Sequence, residues 1–429
     1  MHERDESAWT LLTDVVWPNH ERVIPEAFVG SGTTVVAARA HSVEPSGNGY
    51  LYGYEVDTVD RNGQRGTVLT YVDTGGTHDQ NSALVTDPST GEPVSVWAYP
   101  NDPGLPVLPQ VTYRDAVAEL LTTLGMPVTA PTLTVAAYRP GKRAVVRVDA
   151  PEGTLFLKVV RPHRVAPIVK THEQFVAAGL PVPRVLSSRG DGLLVLERIR
   201  GVPAGSRILD IADDPRFVAS LAALTGRIAT VPMTQQARAD AMDHADWHRR
   251  TLVSALPQDA LQIDELYDAI GRRSIGWNNS DKQVVHGDLH LEQVFVDDAE
   301  PWRISGLLDI DTAGWGYPVR DIGAVVAHLV VTGLWHRSRG DADRGAAAER
   351  LADAIARDWA TRNPAGAERL GPAIGAQLLA HAGGQATTGS ANGIATAEQL
   401  LAATRAALAE PAPVLPAEPT ARPRSAPRV

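Results

Sequence analysis

Polar side chains that could do chemistry lie beside three short apolar runs between residues 283 and 323. The runs are Gln283–Val285, Val294–Val296 and Ile304–Ile310. Asp297–Pro301 is a turn signal between the last two runs, and a hairpin there would bring the loop before Val294 beside the end of the third run. The sequence therefore predicts that four polar side chains share one small volume: Asp288, Gln293, Asp309 and Asp311.

The residue types in this cluster favour a particular chemistry, the binding of a cation. Neighbouring carboxylates repel each other unless a cation or a proton lies between them. Carboxylate and amide oxygens suit Mg²⁺, which keeps water and phosphate in its shell, and phosphoryl transfer needs such an ion and a carboxylate that orients the accepting hydroxyl. On this interpretation Gln293 and Asp309 bind the metal, Asp311 is a further ligand, and Asp288 addresses the acceptor. The alternative is an acidic surface hairpin, against which the strongly apolar flanks argue.

The motif His-Gly-Asp-Leu-His at residues 286–290, with Gln293 and the later Leu-Asp-Ile-Asp, resembles the aminoglycoside phosphotransferase-like superfamily, relatives of the eukaryotic protein kinases. The likeness covers roughly residues 130–330. It implies an α+β, bilobal protein-kinase-like fold, with ATP as co-substrate. It also implies that Asp288 is the catalytic residue and Asp309 the counterpart of the kinase DFG aspartate. The superfamily more often has Asn in place of Gln293, and Gln makes the pattern similar to bacterial maltokinases and actinobacterial glucosamine kinases.

A single lysine interrupts the apolar run 154–160. Burying an unpaired ammonium is costly, so Lys158 needs an anion, and strand alternation points it away from Leu157 and Val159. The resemblance implies that Lys158 contacts the α- and β-phosphates and that a helix glutamate pairs with it. Glu173 is the candidate, and a surface glutamate explains it almost equally well.

Two further segments are candidates for contact with the nucleotide. The apolar run 192–197 ends in a charged break, where the resemblance implies a hinge whose backbone at Glu197, Arg198 and Ile199 meets the adenine edge. Upstream, two β-like runs flank the basic segment Arg139–Arg143. This segment suits ATP phosphates, although a plain hairpin turn explains it as well.

The elements that position these residues suggest four segments. Residues 1–110 are punctuated short strands and form a β-rich cap, and Pro103–Pro109 resembles a linker. Residues 111–200 make a kinase-like N-lobe and hinge, residues 201–410 a helical C-lobe with the catalytic loop, and residues 411–429 a disordered Pro-rich tail. In the C-lobe His286 is structural, and the resemblance implies that Asp321 braces the catalytic loop. His244 and His248 stand four apart on a helix, which more often marks a surface than a metal site.

Composition narrows the partners. The chain has 429 residues, a formal charge of −10 and no cysteine, which argues against nucleic acid, anionic membranes, disulfides and thiolate zinc. No signal-peptide core follows the N-terminus, and the longest apolar run, Gly323–Trp335, is too short to span a bilayer. We therefore expect a cytoplasmic monomer that acts on a small sugar or amino-sugar acceptor.

The function predicted is ATP-dependent, Mg²⁺-assisted phosphorylation of a sugar hydroxyl, with glucosamine preferred to maltose. The cap, the Gln293 variant and the acidic charge balance support this choice. An aminoglycoside or macrolide antibiotic kinase is the nearest alternative. A non-catalytic nucleotide-binding protein is another, and the intact residues Asp288, Asp309 and Lys158 argue against it.

Overall fold

A computed structural model describes residues 18–75, 82–275, 277–388 and 390–409. The chain divides into two compact units, and the boundary between them lies between Ile199 and Arg200. The tail predicted to be disordered, 411–429, lies outside the described residues. Within the described ranges, no helix combines the length and the apolarity needed to cross a membrane.

The first unit opens with one helix and a five-stranded antiparallel sheet. Helix α1 spans His20–Ala27, and the strands are β1 Thr33–Ser46, β2 Gly49–Asp60, β3 Arg65–Asp73, β4 Ala83–Thr86 and β5 Pro93–Ala98, in the order β1-β2-β3-β5-β4. Tyr52, Tyr54 and Val56 alternate along β2, so they share one face of the sheet, and they pack in one core with Val23 and Ile24 of α1. The β-rich character predicted for this segment is therefore present.

A second antiparallel sheet completes the first unit. Helix α2 spans Arg114–Thr123 and α3 Val165–Ala177; the strands are β6 Thr132–Arg139, β7 Arg143–Ala150, β8 Gly153–Val160, β9 Val185–Arg189 and β10 Leu193–Glu197, in the order β6-β7-β8-β10-β9. Leu157 and Val159 of β8 face the core that includes α2, whereas Val160 packs with α3 on the other face. The predicted linker Pro103–Pro109 differs from expectation, because Leu105 and Val107 are fully buried in the α2 core.

The second unit is mainly helical. Its helices are α4 Ile208–Ile211, α5 Pro215–Ile228, α6 Ala245–Ala255, α7 Ala260–Arg273, α8 Pro318–Ser338, α9 Ala342–Arg362, α10 Leu370–Ala386 and α11 Ala391–Ala407. Helix α8 is rich in Val and α10 in Ala, Gly and Leu, and the two pack closely: a Cβ on Gly323 would lie 2.8 Å from the Cβ of Ala373. Small residues at this crossing let the two backbones approach, which places both helices in the core.

Short strands lie among these helices. They are β11 Val202–Pro203, β12 Gln283–Val285, β13 Val294–Val296, β14 Ile304–Leu307 and β15 Gly314–Gly316, paired as β11-β13-β14 and β12-β15. The α+β class predicted from the sequence is confirmed, with antiparallel sheets in the N-terminal region and helices in the C-terminal region, consistent with a protein-kinase-like fold. The boundary predicted near residue 110 falls inside the first unit and stays a prediction.

Candidate active site

The predicted hairpin forms and carries the polar cluster. Strand β13 pairs antiparallel with β14, matching Val294 with Leu307, and the main-chain N–H of Leu308 donates to Gln293 O at 2.8 Å. The third run ends earlier than expected, at Leu307, because Ile310–Thr312 turns into a short 3₁₀-helix. Asp309 therefore lies at the junction between the strand and this helix.

The loop that bears Asp288 is held by a buried carboxylate. Asp321, near the start of α8, accepts the main-chain N–H of His286 at 2.7 Å and that of Gly287 at 2.8 Å. The His286 ring is fully buried and bonds through Nε2 to Leu308 O at 2.8 Å. Both roles agree with the sequence analysis, in which Asp321 braces the loop and His286 is structural. Burial raises the pKa of Asp321, and the two N–H donors oppose that rise.

Gly287 is required by this geometry. Its φ is +85°, and a Cβ there would lie 2.6 Å from the carbonyl oxygen of Thr312. The Thr312 hydroxyl donates to His286 O at 2.9 Å, so the loop and the 3₁₀-helix are tied together on both sides of the glycine. A side chain at position 287 would push these segments apart.

Asp288 and Asp309 lie near enough to interact electrostatically. Burial raises the pKa of Asp288 above its ordinary value, and the negative charge of Asp309 raises it further, whereas His290 and His286 oppose the rise. The sequence predicts this arrangement, in which the charge of one carboxylate affects the pKa of the other. Asp309 is also one of two non-glycine residues in the described ranges with a positive φ, at +55°. Left-handed backbone at such a residue costs energy and is found preferentially at functional sites.

The donor set fits a hard cation. The amide oxygen Oε1 of Gln293 is buried and has no hydrogen-bond partner among the described residues, an arrangement that normally costs energy. Asp309 and Asp311, both partly buried, supply carboxylates on the segment that follows β14. Within the described ranges no group of three or more His, Asp or Glu side chains could hold a metal by itself. Since Mg²⁺ uses few protein ligands and completes its shell with water and phosphate, a small set is what it would use.

Lys158 lies in the first unit, on β8. It is 6 % exposed and pairs in register with Val145 of β7 and Leu194 of β10. The alternation predicted from the sequence is present, since Phe156 and Val160, two residues to either side, pack with α3. An ammonium buried in the middle of a sheet is stable only beside an anion or another acceptor.

Glu173 and the hinge residues Glu197, Arg198 and Ile199 are partly or fully exposed to solvent. Glu173 is exposed on α3 and lines a cavity of about 340 Å³ with His172 and Arg184. Its pairing with Lys158 stays a prediction. Glu197 ends β10, its N–H donates to Arg184 O at 3.0 Å, and Arg198 and Ile199 follow without regular structure. The nucleotide role of Glu197, Arg198 and Ile199 also stays a prediction.

The basic hairpin tip between β6 and β7 is held by a residue that sequence reasoning missed. Asp102 is 1 % exposed and accepts the N–H of Gly141 at 2.6 Å, the Tyr138 hydroxyl at 2.9 Å and the N–H of Gly104 at 2.8 Å. The ammonium of Lys142 lies 2.6 Å from Glu44 of β1. No sequence signal links Asp102 or Glu44 to a turn about 40 to 100 positions away.

Sequence reasoning also missed two histidines, His328 and His381, that join His290 beside Asp288. The ring of His290 stacks on that of His328 of α8 at 4.6 Å between centroids, and His328 meets His381 of α10 edge-on at 4.5 Å. The sequence analysis weighed His244 and His248 only as a metal pair. His328 and His381 stand on different helices, so no spacing in the sequence could relate them.

Comparison with known proteins gives a family match. The model of the family described as "phosphotransferase enzyme family" matches residues 137–365, which is more than half of the chain. A search of curated proteins finds no match.

Solved structures resemble the chain more distantly. A thermostable mutant of aminoglycoside phosphotransferase APH(4)-Ia, in ternary complex with ADP and hygromycin B, is 16 % identical; the alignment covers 68 % of this chain and 98 % of that one, with a TM-score of 0.49. A putative aminoglycoside phosphotransferase from Ralstonia eutropha is 14 % identical, with coverages of 68 % and 96 % and a TM-score of 0.41. A macrolide 2'-phosphotransferase type I is 16 % identical, with coverages of 67 % and 96 % and a TM-score of 0.41.

Proposed function

Because the chain belongs to the phosphotransferase enzyme family, we propose that it transfers the γ-phosphoryl group of ATP to a hydroxyl of a small sugar, with glucosamine as the preferred acceptor. In this reaction the acceptor oxygen forms a bond to the γ-phosphorus, the bond from that phosphorus to the β–γ bridging oxygen breaks, and ADP leaves. The hydroxyl proton passes to a carboxylate.

One observation carries the proposal most directly. Asp288 is held on a braced loop, is partly buried, and lies close enough to Asp309 for the second charge to raise its pKa. A general base works best when its pKa approaches the working pH, so burial of Asp288 suits it to orient the acceptor hydroxyl and take its proton. The Asp321 brace would keep this carboxylate in position throughout the reaction.

Gln293, Asp309 and Asp311 are the residues we propose as magnesium ligands. Bound Mg²⁺ would neutralise the charge of the transferring phosphates, usually a large contribution in phosphoryl transfer. The partnerless Oε1 of Gln293 supports this assignment, since a cation would satisfy a buried acceptor that no described donor reaches. The strained φ of Asp309 supports it as well, because strain of this kind persists where geometry serves function.

For the nucleotide we propose Lys158 as the ligand of the α- and β-phosphates, with Glu173 as its partner, and the backbone at Glu197, Arg198 and Ile199 as the adenine contact. Burial of Lys158 in the middle of a sheet supports the first assignment. Lys158→Met, which keeps the length and removes the charge, should raise the KM for ATP without changing the KM for the acceptor.

The identity of the acceptor is the most detailed part of the proposal. The net charge of −10 and the Gln293 variant support glucosamine, and maltose is the second candidate. An aminoglycoside or macrolide antibiotic is the alternative that the names of the structural neighbours suggest. A protein that binds nucleotide without catalysis is less well supported, since Asp288, Asp309 and Lys158 are all present.

The test is ATP consumption by the purified chain with Mg²⁺ and a panel of acceptors. Glucosamine or maltose should accelerate ADP release, and NMR of the product should identify the modified hydroxyl. Turnover with kanamycin but with neither sugar would overturn the acceptor assignment.

The matched variant is Asp288→Asn, which keeps the size of the side chain and removes the base. Its rate should fall on the order of 10²- to 10⁴-fold while nucleotide still binds. Full activity in Asp288→Asn would reject the role of Asp288, and with it the mechanism.

A further inference from the structure

Four histidines from four different segments lie near one another beside the catalytic loop, and three of them are in ring contact. His290 belongs to the loop, His328 to α8, His381 to α10 and His248 to α6. His290 stacks on His328 with 4.6 Å between ring centroids, and His328 meets His381 edge-on at 4.5 Å. His248 is close enough to lower the pKa of His381. We call these four residues the histidine cluster.

The ring nitrogens of the cluster are available to a ligand. All four residues are partly exposed, and none of their rings forms a hydrogen bond with another side chain or backbone group in the described ranges. Packed imidazoles usually satisfy their nitrogens within the protein or leave them to water. Here their nitrogens can reach solvent, beside the carboxylate proposed to receive the acceptor.

The cluster is uncharged near neutral pH. Burial, together with the charges of His381 and His290, lowers the pKa of His328 to about 3. Burial likewise lowers the pKa of His290, His381 and His248. The charged or titratable groups that face the cluster are Asp288, Asp309 and His286 at its His290 end and His244 at its His248 end. Asp288 and Asp309 favour protonation of His290, yet burial outweighs them.

A neutral imidazole offers one N–H donor and one nitrogen acceptor. A hydroxyl also both donates and accepts, so adjacent imidazoles suit the hydroxyl groups of a sugar. A polycation, in contrast, is best matched by carboxylates. Asp240 and Asp243, which line a cavity of about 230 Å³ beside Gly287, both pair with Arg320 at 3.1 Å and 3.0 Å and so are already compensated.

We propose that His328 and His381 are specificity-determining residues that recognise the acceptor through hydrogen bonds to its hydroxyl groups. The acceptor class that follows is a neutral or singly charged polyol, such as a mono- or disaccharide, rather than a polycation. This inference rests on the proposed function, since it places the acceptor beside Asp288.

The test replaces each histidine with phenylalanine, which keeps an aromatic ring of similar size and removes both nitrogens. His328→Phe and His381→Phe should each raise the KM for the sugar by about 3- to 10-fold, the effect of one lost hydrogen bond. The KM for ATP should stay within about 2-fold, and His328→Asn, which restores a donor and an acceptor, should recover part of the sugar affinity. The control is His163→Phe at an exposed histidine of the first unit, which should change neither constant.

The outcomes separate this inference from the proposed function. If the parent protein turns over a sugar and both phenylalanine variants keep its KM while folding normally, the histidine cluster does not recognise the acceptor. If the parent protein turns over no sugar, the proposed function fails. Sugar binding, measured by saturation-transfer NMR, then decides whether the histidine cluster recognises the acceptor. Binding that is lost in His328→Phe supports recognition by the cluster, and absence of sugar binding to the parent protein overturns it.

Discussion

Two turns, one in each unit, are each held by a buried aspartate that accepts main-chain N–H groups. The turns carry side chains of opposite charge, Asp288 in the second unit and Lys142 in the first. In the second unit Asp321 accepts two main-chain N–H groups of the catalytic loop, one of them from Gly287 at φ +85°. In the first unit Asp102 accepts two main-chain N–H groups, one of them from Gly141 at φ +66°. In both cases a buried carboxylate fixes a turn that only glycine adopts without strain.

The two turns differ in how their own charges are compensated. Lys142 at the hairpin tip pairs with Glu44, and the charge of Arg161 lowers the pKa of Asp102 against the larger effect of burial. At the catalytic loop the charge that the turn presents, Asp288, lies near a second carboxylate, Asp309, and both burial and Asp309 raise its pKa. The difference teaches that the charge presented by the turn proposed to do chemistry lies near a like charge, whereas the charge presented by the hairpin tip has a partner of opposite sign.

Removing the Asp321 brace should have the largest effect. Asp321→Ala leaves two buried N–H groups without an acceptor, and each costs roughly 1–3 kcal/mol, so the free energy of unfolding should fall by about 2–6 kcal/mol. The kcat should fall as well, because Asp288 loses its fixed position. Denaturant titration followed by tryptophan fluorescence measures the first quantity. Asp321→Asn, which keeps one acceptor oxygen, should lose less, and equal stability of the parent and Asp321→Ala would show that the brace contributes nothing.

Removing the Asp102 brace should have a smaller effect, of a different kind. Asp102→Ala leaves the donors of Gly141, Gly104 and Tyr138 unmatched, but water can reach the neighbouring hairpin tip, so we expect a loss of about 1–3 kcal/mol in stability. If the hairpin covers nucleotide phosphates, the KM for ATP should rise while the KM for the acceptor stays constant. Tyr138→Phe is the matched control, since it removes a single donor to the same carboxylate. A rise in the acceptor KM instead would contradict the role of the hairpin.

The sequence predicted one turn well and the other poorly, for a physical reason. The polar residues of the catalytic loop and its neighbours lie within 34 consecutive positions: Asp288, Gln293, Asp309 and Asp321. Their types and spacing are therefore enough to predict what they do. The contacts of Asp102 with Gly141 and of His328 with His381 join segments that are 39 and 53 positions apart. Such contacts arise from packing of whole elements, and no local pattern encodes them. The same reason explains why Leu105 and Val107 were mistaken for part of a linker: Pro and Gly around them hid residues that the α2 core buries.

Asp288 itself provides a test in which activity and stability move in opposite directions. Its folded-state pKa is raised above its ordinary value, so the folded protein is more stable with Asp288 protonated, and this stability is lost as the pH rises through the folded pKa. Asp288→Asn avoids that loss. The variant should therefore be more stable than the parent at pH 7.

The gain should shrink as the pH falls and vanish below about pH 4, where the parent carboxyl is protonated in both states. Thermal melting of both proteins between pH 4 and pH 8 measures the difference. Asp297→Asn is the control, because backbone N–H groups lower the pKa of Asp297 and its replacement should destabilise the protein as the pH rises. A stability gain in Asp288→Asn that does not depend on pH would mean that the cost at this loop is not electrostatic.

The smallest effect should come from the ion pair at the hairpin tip. Glu44 lies 2.6 Å from Lys142 and 3.7 Å from Arg139, but all three side chains are between 33 % and 45 % exposed. Pairs of this exposure contribute less than about 1 kcal/mol, and salt screens them. Glu44→Gln should therefore change stability very little, with any change fading at high salt, and Glu55→Gln at the more exposed pair with Arg39 is the control. If Glu44→Gln nevertheless lowers the KM for ATP severalfold, Lys142 released from Glu44 contacts phosphate, and the hairpin tip would then resemble the catalytic loop in keeping its charge for a ligand.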